Sequence, residues 1–211
     1  MLNSPAALLN AFLDATEFDI HPLTQAGVES GAKVFGAAIF EKDGLGKVMV
    51  DTNHETESPL LHGEIQCLQS FFTLPAATRP LTKDCVFFAT HEPCSLCLSG
   101  ITWSGFDNHY YLFTYEDTRD LFKIPHDIAI LEQVFKVQGE GESDESFAKK
   151  PLYNKTNSFW KCQSVADLLE ELDVGAERDA LVVKVNRVRG LYGALSQTYQ
   201  SNKGDAGIPL A

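Results

Sequence analysis

Apolar residues at Leu8, Leu9, Phe12 and Leu13 recur at the three-to-four-residue interval of a helix. Ser4-Pro5 ahead of them offers a hydroxyl cap followed by proline at the first helical position. This spacing predicts a helix over about 4–18, and Pro22 opens a second one to about Ala32. The pattern then changes. Residues 34–40 are continuously apolar and strand-like, Asp43-Gly44 with Gly46 is turn chemistry, and Lys47-Val-Met-Val50 returns with β-formers, so a hairpin is expected. Residues 51–59 are polar and read as a loop leading into a helix over about 61–72. Cys85-Val-Phe-Phe-Ala89 is short and apolar enough for a buried strand, Pro93 starts a helix through Trp103, 109–113 is strand-like, and 126–136 is helical. The acidic, glycine-rich stretch 139–146 reads as a solvated loop. Helices over about 164–172 and 177–200 follow, and a tail from Ser201 is expected to fray.

Helices alternating with strands in this order predict an α/β fold, a three-layer α/β/α sandwich with a mixed central sheet and helical N- and C-terminal extensions. The expected division is a core with its N-terminal helix over 1–150 and a helical extension over 151–211, packed on the core or on a neighbouring subunit. At 211 residues, 44% hydrophobic and 22% charged, the chain can bury a core as one generous domain. No apolar run approaches the roughly 20 residues of a membrane span, and Met1 is not followed by a basic and then an apolar region, so a soluble, cytoplasmic protein with no membrane partner is expected. The formal charge of −12 works against nucleic acid as a partner, because such binding relies on Lys and Arg along the phosphates.

The five cysteines are an odd number and include a Cys-x-x-Cys pair, which suits a reducing compartment and metal or redox work. Cys67, Cys85 and Cys162 sit among apolar neighbours and read as core. Leu61-His62-Gly63-Glu64 and Glu92-Pro93-Cys94-Ser95-Leu96-Cys97 each stand at a predicted helix start. Residues two apart on a helix do not share a lateral face, so His62 and Glu64 can converge only at the helix tip, whereas Cys94 and Cys97 do share one. Imidazole and thiolate donors select zinc, and tetrahedral zinc wants four ligands where these segments supply three; a fourth position left to water separates a catalytic site from a structural one. A closed site completed by Cys85 or His91 is the alternative, with His91 otherwise a turn residue or a donor behind the ligands.

His-x-Glu followed by Pro-Cys-x-x-Cys is the mark of zinc nucleobase deaminases. At His62-Gly-Glu64 and Pro93-Cys-Ser-Leu-Cys97 the chain resembles the cytidine deaminase superfamily. Ser58-Pro-Leu-Leu-His-Gly-Glu64 and Glu92-Pro-Cys-Ser-Leu-Cys97, followed by Ile101-Thr-Trp103, look like bacterial guanine deaminases and tRNA adenosine deaminases. The resemblance covers roughly residues 30–135. It implies a Zn²⁺ cofactor on His62, Cys94 and Cys97, with Glu64 as the catalytic proton carrier. The implied reaction is hydrolytic deamination of a small nucleobase or nucleoside-like substrate, a guanine-type purine first. A cytosine, cytidine or other amino-heterocycle deaminase, then a tRNA adenosine deaminase, then a non-catalytic zinc-stabilised partner protein are the alternatives.

The resemblance also points to Asn53 as a substrate-binding residue and implies a homodimer. Phe35, Trp103, Phe159 and Trp160 are candidates for stacking on the substrate, with Phe159 and Trp160, in a polar setting, first. Asp117, Asp120 and Asp127 follow the last core strand, where related enzymes place a carboxylate that reads the substrate amine. Gly63, where alanine is usual, is a candidate for widening the pocket floor.

Overall fold

The computed structural model describes residues 3–204 and 207–210. Five strands, β1 (Gly36–Glu41), β2 (Lys47–Thr52), β3 (Cys85–His91), β4 (Asn108–Phe113) and β5 (Lys161–Ser164), form one sheet in the order β2-β1-β3-β4-β5. β1 is antiparallel to both β2 and β3, while β3, β4 and β5 are mutually parallel, so the sheet is mixed as expected. Side chains alternate across it. Ala38, Phe40, Val86 and Phe88 face one core under α1 (Pro5–Ala15), α2 (His21–Glu29), α8 (Val165–Glu170) and α9 (Ala176–Asn202). Ala37, Ile39, Phe87 and Ala89 face the other, under α3 (Gly63–Thr73) and α4 (Ser95–Trp103). Phe12 of α1 stacks on Phe88 with centroids 4.6 Å apart, a contact between layers.

The topology itself places the site. Because β1 opposes both its neighbours, β2 and β3 run in the same direction and end at the same edge of the sheet, so α3 and α4, which follow them, start side by side there. Carboxyl ends of parallel strands are the usual location for ligands in α/β sheets.

Ser4 caps α1 through the Ala7 N–H, as the Ser-Pro pair predicts, but the chain continues through a π-helical turn (Thr16–Ile20) into α2. Three elements differ from expectation. The four-residue β5 comes from the region expected to be a helical extension, so the sheet crosses the boundary at 150. Two short helices are not marked by the sequence pattern: α5 (Tyr115–Asp120), which starts from Thr114, and α7 (Asp144–Lys149), which lies partly within the acidic stretch. The expected 126–136 helix is α6 (His126–Ile130) and a π-helical turn (Leu131–Phe135). Beyond α9, Ile208 is buried instead of frayed.

Candidate metal centre

The two helix starts are built alike. His62 is the N-cap of α3 and Cys94 the N-cap of α4; both have extended backbone, with ψ of 156° and 174°, and neither side chain makes a capping hydrogen bond. Pro93 therefore precedes the cap and does not occupy the first helical position. Freed from capping, both side chains turn toward the space between the helices. Cys97, one turn into α4, joins them there.

The loop leading to His62 is closed by the His54 N–H on Leu61 O at 2.8 Å. A Cβ at Gly63 would sit 2.7 Å from Phe35 O, so the glycine lets the start of α3 press against the β1 backbone and does not widen the pocket. The corner before Cys94 is held by Glu92, which is buried and accepts from the Tyr115 N–H at 3.1 Å and the Tyr153 hydroxyl at 2.6 Å.

His62 Nδ1 lies 3.3 Å from Cys94 Sγ, and the two sulfurs are 3.6 Å apart. All three donors fall within 4.8 Å of one another. Ligands of a tetrahedral zinc at bonds of roughly 2.0–2.3 Å stand about 3.5–3.8 Å apart, so both spacing and donor chemistry fit that ion. Glu64 is buried beside them, its Oε2 accepting from the Cys97 thiol at 3.4 Å.

The electrostatics are those of a closely packed proton-sharing group. Burial lifts the Glu64 carboxyl to about 7, helped by the charge of Cys94. Burial opposes a charged His62 ring, yet the Cys94 hydrogen bond and charge, with Glu55 and Glu64 behind, raise it to about 9. The hydrogen bond with Cys97 holds Cys94 well below the ordinary thiol value, and burial holds Cys97 well above it.

A cavity of about 220 Å³ opens on this group, with Lys33, Phe35, Glu55, His62, Cys94 and Asp127 in its wall, and Pro209 and Leu210 also lining it. Hollows of about 320 and 390 Å³ lie elsewhere and reach none of the three donors. Of the three aspartates after β4, Asp117 is bound to Arg189 at 2.8 Å and Asp120 is paired with Arg119. Asp127 is the one in the cavity wall, and burial raises it to about 8.

The remaining expected site residues stand differently. Asn53 is 1% exposed and behind the wall: its Oδ1 accepts from the Lys33 and Glu55 N–H groups, and its Nδ2 donates to Glu55 Oε2 at 2.6 Å. Trp160 is buried against Leu98 and Tyr111, with its indole N–H on Thr102 Oγ1, while Phe159 is 66% exposed; neither lines the cavity of its own chain. Burial in a separate cluster takes Trp160 out of reach. Trp103 is 91% exposed, and Cys85 and His91 lie outside the donor cluster. Lys33, Glu55 and Asp127 form the polar wall, and of these the sequence pointed only to Asp127. The other two read as ordinary charges in polar stretches.

Residues 21–113, which hold His62, Glu64, Cys94 and Cys97, match the family described as the cytidine and deoxycytidylate deaminase zinc-binding region. A cytosine deaminase of Candida albicans is 38% identical over 52 residues, 25% of this chain and 33% of that protein, so the match spans a third of the relative's length. Among solved structures, a guanine deaminase from Nitrosomonas europaea is 18% identical, with 90% of this chain and 87% of that one covered and a TM-score of 0.45. One from Bacillus subtilis is 22% identical over 71% and 86% of the two chains, with a TM-score of 0.49. The matched family is described as zinc-binding, and His62, Cys94 and Cys97 within the matched segment are placed to bind a metal.

Proposed function

We propose that the protein is a zinc-dependent deaminase that replaces the exocyclic amine of a small nucleobase-type heterocycle by oxygen, consuming water and releasing ammonia. The observation that carries this reading is the clustering of the His62, Cys94 and Cys97 donors beside the buried Glu64 carboxyl, with His62 and Cys94 in the wall of one cavity. His62, Cys94 and Cys97 would hold the ion, which supplies Lewis-acid activation of water.

Glu64 takes one proton from the attacking water and gives it to the ring nitrogen, then carries the second, from the added hydroxyl, to the amine, which departs as ammonia. Burial, which disfavours the charged form of the Glu64 carboxyl, suits it to both transfers. Phe35 gives an aromatic wall against which a planar ring can pack, and Asp127 can accept from the amine. The roughly 220 Å³ space is below the usual 300–1,000 Å³ of drug-sized pockets and favours a base over a nucleotide.

A guanine-type base is the first candidate, from the likeness at Glu92–Cys97. Cytosine is the second, favoured by the Candida albicans relative. A cytoplasmic homodimer belongs to the same reading. The test is ammonia release by the purified zinc form from a panel of guanine, cytosine, adenine and their nucleosides. At least one base is a substrate, and Glu64→Ala keeps about one zinc per chain while losing about 10²–10⁴-fold in rate. A zinc protein inert toward the whole panel would instead support the non-catalytic partner role.

A further inference from the structure

The cavity wall contains a buried cation that zinc binding and proton transfer leave without a task. The Lys33 side chain is 6% exposed and that of Glu55 is 2% exposed, with Nζ 2.7 Å from Oε1. Glu55 is fully engaged: Oε1 also faces His62 Nε2 at 3.5 Å, and Oε2 accepts from Asn53. Asn53 in turn holds the backbone of both Lys33 and Glu55 through its Oδ1. The ammonium differs. It carries three N–H donors, and among the described residues its hydrogen bond is the one to Glu55. A buried ion pair is a poor source of stability, because desolvation offsets its attraction. Here it fixes a cationic donor in the wall of a site whose chain carries a net charge of −12.

We infer that Lys33 is a specificity-determining residue that donates a hydrogen bond to a ring oxo group of the substrate. The heterocycle taken is therefore of the oxo-bearing class, as cytosine and guanine are, and not of the oxo-free class of adenine. This rests on the deaminase reading above. A buried donor rejects an analogue lacking its acceptor, because the donor is then left unpaired.

Two pairs of compounds isolate the oxo group: cytosine against 4-aminopyrimidine, and guanine against 2-aminopurine. Ammonia release is measured for the zinc-loaded wild type, for Lys33→Met, and for Lys33→Met/Glu55→Gln, which leaves no buried charge unpaired. Wild type prefers the oxo member of its pair by about 100-fold in kcat/KM. Lys33→Met loses that preference, mainly through a higher KM for the oxo member; the double variant, which also removes the carboxylate facing His62, loses it too, with its zinc content measured alongside. Equal use of both members by wild type overturns the inference whether or not a variant folds, and so does a parallel loss on both members, which marks a structural role. Calorimetric binding of the same pairs separates the two claims. If no compound releases ammonia the deaminase reading fails, and Lys33 is then judged by whether tighter binding of the oxo member is present in wild type and absent in Lys33→Met.

Discussion

Helices α3 and α4 begin at residues whose side chains make no capping hydrogen bond, whereas α5 and α8 begin at residues whose side chains do. In α8 the Ser164 hydroxyl accepts from the Asp167 N–H at 3.0 Å and the Asp167 carboxylate accepts from the Ser164 N–H at 2.7 Å. Thr114 and Asp117 repeat the arrangement in α5. His62 and Cys94 occupy the same helical position with similar backbone, and their side chains point at each other. One structural slot thus does two jobs. Where it holds a helix together the residue is Ser or Thr; where it gathers donors, local capping is given up, and that departure marks the functional site.

The comparison breaks most visibly at Cys94. Cys94→Ser puts a good capping residue where a thiolate was, so zinc content falls to near zero and ammonia release with it. The metal-free variant meanwhile unfolds no more easily than metal-free wild type, and gains up to about 1 kcal/mol in urea titration.

A second prediction concerns protons in the metal-stripped chain. Cys94 is held well below the ordinary thiol value, which favours its thiolate; His62 is raised, so its imidazolium persists as pH rises and is lost only through about 9. Imidazole NMR of stripped protein should give that midpoint for one ring, returning toward about 6.5 in Cys94→Ser. A His62 midpoint near 6.5 in the wild type would show that the pair does not share its proton.

The smallest effect is at α8. Ser164→Ala should cost about 1 kcal/mol of stability, within a range of roughly 0.5–2, with zinc content and rate unchanged. A loss of zinc there would erase the distinction between the two kinds of cap.

Much of the molecule was legible because local pattern and fold agree. Periodicity gave α1, β1–β4 and the paired starts of α3 and α4, and donor chemistry singled out His62, Glu64, Cys94 and Cys97. What was missed has physical reasons. β5 is four residues, Lys161-Cys-Gln-Ser164, with no alternation of its own; pairing to β4 makes it a strand. Thr114-x-x-Asp117 is a readable capping pattern, but no apolar periodicity follows it to mark a helix as short as α5. Lys33 and Glu55 could not be read at all, since a charge in a polar stretch is ordinarily solvated and only the fold brings these two together under cover.

Zinc-edge X-ray absorption on the loaded protein tests the central claim most directly. The predicted first shell is two sulfurs at about 2.3 Å and two light atoms at about 2.0–2.1 Å, one of them the His62 nitrogen and the other from solvent. In Glu64→Gln the same two-sulfur shell is retained while ammonia release disappears. A shell of three sulfurs, or one that loses a light atom when Glu64 is replaced, would mean that a fourth side chain closes the site and that it is structural.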